Sequence, residues 1–242
     1  MVASSAGPEA ELRTARGAML YDASRIEQPG DALFDPAAWR ARGGLEEVAG
    51  GRGTVAFVRD GARRWVLRHY RRGGLVASLL GDAYLWTGAP RTRAFAEWRL
   101  LRRLAAWQLP VPAAVAARYV RSGFVYRADL ITEELPTRLT LAQALASGPV
   151  ARERWSAVGR CIAAFHARGV EHADLNAHNV LLGPGEDVYL VDFDRGRIRE
   201  RGGWEQRVLA RLQRSLAKVT TNLPAGRFGE PEWQLLLGKV SG

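Results

Sequence analysis

The stretch His172-Ala-Asp-Leu-Asn-Ala-His-Asn-Val180, HADLNAHNV, decides how the rest of the chain is read. It packs His, Asp, Asn, His and Asn into eight residues, directly before the aliphatic run Val180-Leu-Leu182. A core segment cannot be built this way, because each unpaired polar group inside costs about 1–3 kcal/mol. The stretch is therefore a polar loop, and its neighbours decide whether that loop is merely solvated or is a site.

Upstream, ARERWSAVGRCIAAFHARG repeats apolar residues at Trp155, Val158, Ile162 and Phe165, one helical face, and stops at Gly169. Downstream come the strand VLL, the turn GPGE and the strand DVYLVDF. The loop itself has the spacing His-x-Asp-x-x-x-x-Asn: His172, Asp174, Asn179. Thirteen residues after Asn179, Asp192 opens the tripeptide DFD. An isolated spacing of this kind is weak evidence. After a helix, between two short strands and followed by DFD, it resembles the catalytic loop and metal-binding motif of the protein-kinase fold.

The chemistry accounts for the residue types. Phosphoryl transfer asks a protein for positioning and charge neutralisation more than for covalent work. Asp174 would accept or orient the proton of an acceptor hydroxyl, and Asn179 with Asp192 would offer hard oxygen ligands to Mg²⁺. His172 would hold the loop.

The first half supplies the remaining parts. Short strands are expected at LEEVAG, GTVAFVRD and RRWVLRHY, with turns at GGRG and DGAR. The helical spacing of RTRAFAEWRLLRRLAAW follows, then the apolar strands AAVAARYV and GFVYRADLITEEL. The turn GGRGTV carries Gly51 and Gly53, whose backbone N–H groups could cover phosphates, although an ordinary hairpin turn fits nearly as well. Where a kinase places its phosphate-binding lysine, WVLRHY offers Arg68, since no lysine precedes Lys218. A guanidinium can pair bidentately with phosphate, but without lysine's geometry; an arginine on an alternating surface strand is the plain alternative. Glu97 shares a helical face with Ala94, Leu100, Leu101 and Leu104. An acid on such a face needs a partner, which Arg68 would supply unless Glu97 reaches solvent at a rim.

The expected architecture is thus α+β: a protein-kinase-like bilobal fold in a single domain, 1–242. Residues 33–136 form a β-rich first lobe of about five antiparallel strands plus a helix in the αC position. Residues 137–242 form a small helical second lobe, and 1–17, rich in Ala, Gly, Glu and Ser, are expected to be mobile.

Bulk properties agree. With 47% hydrophobic and 25% charged residues, the 242-residue chain is neither disordered nor fibrous. No apolar run reaches the roughly 18 residues of a membrane span, and the N-terminus lacks a secretory pattern. One cysteine, Cys161, fits a reducing cytoplasm. The net charge of +10 asks for an anionic partner. Yet 33 of the 35 basic residues are arginine and scattered, which fits coding bias too. With no nucleic-acid-binding motif beside the charge, no nucleic acid is expected, and no protein partner is evident.

Taken together, WVLRHYRRGG, LLGDAYLWTG, TRAFAEWRLL, LPVPAAVAARYV, YRADLITE, VGRCIAAFH, HADLNAHNVLL and VDFDRGR resemble the family of lipopolysaccharide core kinases that phosphorylate 3-deoxy-D-manno-octulosonic acid (Kdo), from about Leu33 to Lys218. That resemblance implies ATP-dependent phosphorylation of a Kdo hydroxyl, expected at O4, on Kdo-lipid IVA during lipopolysaccharide core synthesis. It implies Asp174 as catalytic base and Asn179 and Asp192 as Mg²⁺ ligands. Arg68 and Glu97 would orient the ATP phosphates. It also implies a peripheral location on the cytoplasmic face of a Gram-negative inner membrane. There the segment RHYRRGGLVASLLGDAYLW, with Arg71, Arg72, Leu75, Val76, Leu79, Leu80 and Trp86, would meet the anionic bilayer or the acceptor, or simply pack on the first lobe. Asp194 stands where protein kinases carry glycine, and only 48 residues follow it, so no peptide-docking platform is expected. A heptose kinase of the same pathway and a catalytically silent binding module are the competing readings. The intact Asp174, Asn179 and Asp192 argue against the second.

Overall fold

The computed structural model describes residues 7–49, 55–71 and 81–240, with the backbone alone for 48–49. Gly51 and Gly53 lie outside the described residues, as do Arg72, Leu75, Val76, Leu79 and Leu80. The chain divides into two compact units: Met1–Ala106 with Pro112–Glu134, and Trp107–Val111 with Leu135–Gly242.

Among the described residues, the first unit holds an antiparallel sheet of eight strands: β1 (Glu9–Thr14), β2 (Gly17–Asp22), β3 (Leu45–Ala49), β4 (Val55–Asp60), β5 (Arg63–His69), β6 (Tyr84–Leu85), β7 (Ala114–Ser122) and β8 (Val125–Glu133). Their spatial order is β1-β2-β7-β8-β5-β4-β3, and β6 adds to β8. The five expected strands are β3, β4, β5, β7 and β8; the other three extend the sheet. The N-terminal expectation needs correction. Glu9–Thr14 is not mobile but pairs residue for residue with β2, from Glu9 opposite Asp22 to Thr14 opposite Gly17. Its charged, half-exposed alternation conceals an edge strand, whereas β2 buries Ala18, Met19 and Leu20. The buried Asp22 carboxylate secures this edge, accepting hydrogen bonds from the Gly7 and Ser24 backbone N–H groups at 2.8 and 3.0 Å. The sheet thus begins at Glu9, not near Leu33.

Helices cover both faces of the sheet. On one, the short helix α1 (Pro36–Ala41) starts at Asp35, whose carboxylate caps the Ala37 N–H at 2.8 Å. It delivers Trp39 edge-on to Trp65, centroids 5.9 Å apart, within a core that includes Met19, Phe34, Val58 and Ile131. Helix α2 (Arg93–Ala106) packs mainly on β7 and buries Phe95, Trp98, Leu101 and Leu104. Each such side chain stabilises the fold by about 1.5–3 kcal/mol. Glu97 is buried on the same helix.

The second unit contains helices α3 (Leu141–Ser147), α4 (Arg152–Ala167), α5 (Trp204–Thr220) and α6 (Glu230–Val240). Two small antiparallel pairs complete it: β10 (Val180–Leu182) with β11 (Val188–Leu190), and β9 (Val170–Glu171) with β12 (Arg197–Ile198). Thr140 and Gln143 cap α3 reciprocally, and Gly148 ends it. Helices α4 and α6 approach closely at Gly159, where an added Cβ would sit 2.2 Å from the Leu236 carbonyl oxygen. Burial pushes the Cys161 thiol up to about 12, so it stays protonated and unreactive at neutral pH. Among the described residues, no helix is long and apolar enough to cross a membrane.

Candidate active site

The candidate residues fall into two groups, one in each unit. In the first unit, β5 alternates Trp65 and Leu67 into one core with Val66 and Arg68 toward the opposite face. There Arg68 meets Glu97 of α2 in a two-pronged pair: Nη1 donates to Oε1 at 3.2 Å and Nη2 to Oε2 at 3.0 Å. The Glu97 side chain is 1% exposed and that of Arg68 21%. Tyr70 adds a short hydroxyl donation to Glu97 Oε2. A buried carboxylate is tenable only with such partners, and the pair fixes a guanidinium that still reaches solvent.

The adjacent His69 points to the other face, between two carboxylates. Its Nδ1 lies 2.7 Å from Asp129 Oδ1 and its Nε2 2.8 Å from Asp82 Oδ2. The hydrogen bond to Asp129 raises the imidazole above its ordinary range, with Asp82 adding to it against the opposing effect of burial. This network was not read from the sequence, where His69, Asp82 and Asp129 are far apart.

In the second unit, the polar loop is held by its own backbone and by buried neighbours. His172 is enclosed, and burial holds its imidazole below the ordinary range. Its Nδ1 accepts from the Asp174 N–H at 3.3 Å, so the proton sits on Nε2 and is donated to the Val191 carbonyl at 2.9 Å. A neutral histidine thus ties the loop to the residue before Asp192. Asn176 and Asn179 both donate their amide N–H to the Asp174 carbonyl at 2.9 Å. Leu175 and Ala177 are fully buried, and the Ala177 N–H is taken by Ser215 Oγ of α5 at 3.1 Å.

Asn179 and Asp192 arrive by sheet register. Val180 pairs with Leu190, and one step beyond, the Val191 N–H donates to the Asn179 carbonyl at 3.1 Å. Asp192 follows in the left-handed region, φ 65°, which aspartate tolerates better than most residues. With its Nδ2 committed to Asp174, Asn179 presents Oδ1 as a hard oxygen ligand. Among the described residues, no cluster of three or more His, Cys, Asp or Glu could hold a metal alone. An amide oxygen and a carboxylate suit Mg²⁺, which keeps waters and takes phosphate oxygens for the rest of its shell.

Asp174 projects a half-exposed carboxylate from this scaffold. Arg211 of α5 grips one of its oxygens: Nε donates to Oδ1 at 2.7 Å and Nη2 donates to the same atom. Arg211 was missed in the sequence because it lies 37 residues away on another element. The available signal was the spacing of basic residues along α5.

A β-sheet unit carrying a paired Arg–Glu, and a helical unit carrying an Asp, Asn and Asp arranged by loop and strand register, define a kinase-like phosphotransferase. Residues 37–237 match the model of the lipopolysaccharide kinase (Kdo/WaaP) family, and the chain belongs to that family. It is 48% identical over 208 residues to a protein of Xanthomonas campestris pv. campestris (strain B100) named 3-deoxy-D-manno-octulosonic acid kinase, covering 85% of this chain and 82% of that one. Proteins of the same name from Xylella fastidiosa (strain M12) and Stenotrophomonas maltophilia (strain K279a) are each 46% identical over 205 residues, covering 84% of this chain and 81% of theirs. Membership of a kinase family implies ATP as phosphoryl donor.

Proposed function

We propose that this enzyme transfers the γ-phosphoryl group of ATP, with Mg²⁺, to a Kdo hydroxyl, O4, on Kdo-lipid IVA, working as a peripheral protein on the cytoplasmic face of the inner membrane. The observation that carries the reaction class is the Asp174 loop: a carboxylate displayed to solvent from a backbone fixed by His172, Asn176 and Asn179. Similarity at 46–48% identity to proteins named Kdo kinase supports the acceptor.

In this reading Asp174 orients the acceptor hydroxyl and receives its proton through the oxygen that Arg211 leaves open. Asn179 Oδ1 and Asp192 would hold Mg²⁺, which when bound neutralises charge on the phosphate oxygens. Arg68, fixed by Glu97, steadies the donor phosphates. Gly51 and Gly53 keep their candidate role over those phosphates.

The deciding experiment is transfer from MgATP to Kdo-lipid IVA, read by mass spectrometry, with a heptosylated acceptor in parallel. One added phosphate on the Kdo unit, lost in Asp174→Ala, is the expected result. Transfer to the heptosylated acceptor alone would reassign the enzyme as a heptose kinase. Transfer to neither would leave a binding module.

A further inference from the structure

Helix α5 carries Arg207, Arg211, Arg214 and Lys218, all exposed. At about 100° per residue, these four directions fall within an arc of about 60°. The core stripe Trp204, Val208, Leu212 and Leu216 occupies a separate arc. No acidic residue shares the basic arc. The one acid on the helix, Glu205, is on another side and is paired with Arg201 at 2.7 Å. Cations at i,i+3 and i,i+4 spacing repel and destabilise a helix, so an ordinary solvated face interleaves them with acids. This one does not. Among the described residues, Arg211 is paired with Asp174, while Arg207, Arg214 and Lys218 make no ion pair.

The arc has a fixed place in the second unit. It adjoins Ser215, whose Oγ binds the catalytic loop at Ala177, and one member reaches the Asp174 carboxylate itself. We propose that Arg207, Arg211, Arg214 and Lys218 form an anion-binding rail that seats the acidic acceptor beside Asp174, an inference that rests on the acceptor named above. Kdo is a sugar acid, and its lipid-linked form also carries phosphates. A guanidinium matches both groups geometrically and still has donors left when two are spent on Asp174. Arg211 therefore bridges the base and the sugar carboxylate, bringing the reacting hydroxyl to Asp174. The others extend along about 16 Å of helix and take the remaining anionic groups. A neutral sugar would forfeit the Arg211 contact, which makes the rail a specificity element as well as a binding surface.

The test uses the full chain and the variant Arg207→Gln/Arg214→Gln/Lys218→Gln, with Arg211 kept because it touches Asp174. Kdo-lipid IVA in uncharged detergent micelles is titrated into the nucleotide-free protein by tryptophan fluorescence, and the acceptor KM is measured with MgATP. Loss of tenfold or more in both, with KM for ATP unchanged, is expected. The control Arg40→Gln/Arg59→Gln/Arg91→Gln removes the same charge elsewhere and should bind as the unaltered protein does. Equal affinity of the rail variant and the unaltered protein overturns the rail. So does loss confined to anionic vesicles with micelle affinity intact, which would make the stripe a bilayer contact. Tight acceptor binding through the rail without phosphate transfer would leave the rail standing and overturn the proposed reaction.

Discussion

At the scale of single residues, the Arg68–Glu97 pair is where chemistry and stability meet. Arg68→Met removes the two-pronged guanidinium from the buried Glu97 carboxylate. Removing one partner of a buried ion pair costs about 3–5 kcal/mol, so urea denaturation should show a loss of that order. Arg68→Lys keeps the charge but not the two-pronged geometry and should lose less. If Arg68→Met costs under about 1 kcal/mol, the pair is not held in a low-dielectric site, and its role in fixing Arg68 falls with it. At Asp174 the expected effect is on rate: Asp174→Ala should lower turnover about 10²–10⁴-fold if the carboxylate is a general base, measured as initial velocity at saturating ATP. Near-full turnover would remove it from the mechanism. Much of this site was legible in the chain, because the loop spacing and the apolar face around Glu97 are local patterns. Arg211 was not, since its contact with Asp174 is made by tertiary packing of α5 on the loop. The His69 network was hidden for the same reason: three strand-borne or loop-borne groups meet only when β5 pairs with β8.

At the scale of elements, that pairing carries its own titration. His69 bridges Asp129, on β8, and Asp82, and the same two carboxylates bind Arg118 of β7 at 2.7 Å and Arg127 of β8 at 2.6 Å. The histidine pKa is raised in the folded state, so its contribution is fully present below the ordinary value of about 6.5 and disappears as pH climbs through the raised one. Unfolding midpoints should therefore fall as pH climbs above the ordinary histidine value through the raised one, and His69→Gln should flatten that fall while lowering stability at acid pH. A His69→Gln protein with the unaltered pH slope would show that another group titrates. The five strands β3, β4, β5, β7 and β8 were readable from alternation and turn residues. β1 was not, because an edge strand with one half-buried face reads as a polar tail. β6, two residues long, has no sequence pattern at all. The helices were plainer, as α4 and α2 carry long apolar stripes.

At the scale of the whole molecule, the charge of +10 must be weighed against distance. A basic residue near an anionic bilayer contributes about 1 kcal/mol, but only within a Debye length, about 8 Å at physiological salt. Most of the scattered arginines cannot count at once, so charge alone would give a weak, salt-sensitive attachment. The first unit adds an apolar element. Phe124, at the turn between β7 and β8, is 86% exposed, and Leu85 on the neighbouring β6 is 60% exposed. Exposed Arg121 stands beside them, hydrogen-bonded through its N–H to the carbonyl of exposed Arg16. Trp86, from the segment expected to meet the membrane or the acceptor or to pack on the first lobe, is half-buried against Tyr119 at 5.1 Å. Sinking the Phe124 ring below the headgroups would contribute about 1.5–3 kcal/mol, comparable to two or three charges and indifferent to salt. The protein should therefore sediment more strongly with vesicles containing anionic phosphatidylglycerol than with neutral phosphatidylcholine vesicles. Raising salt to about 0.5 M should weaken the attachment without abolishing it, because the screening that removes the charge leaves the ring in place. Phe124→Ser should then remove the salt-resistant fraction and leave the salt-sensitive one. Equal retention on neutral and anionic vesicles would rule out charge as the selector, and unchanged high-salt retention in Phe124→Ser would rule out the ring.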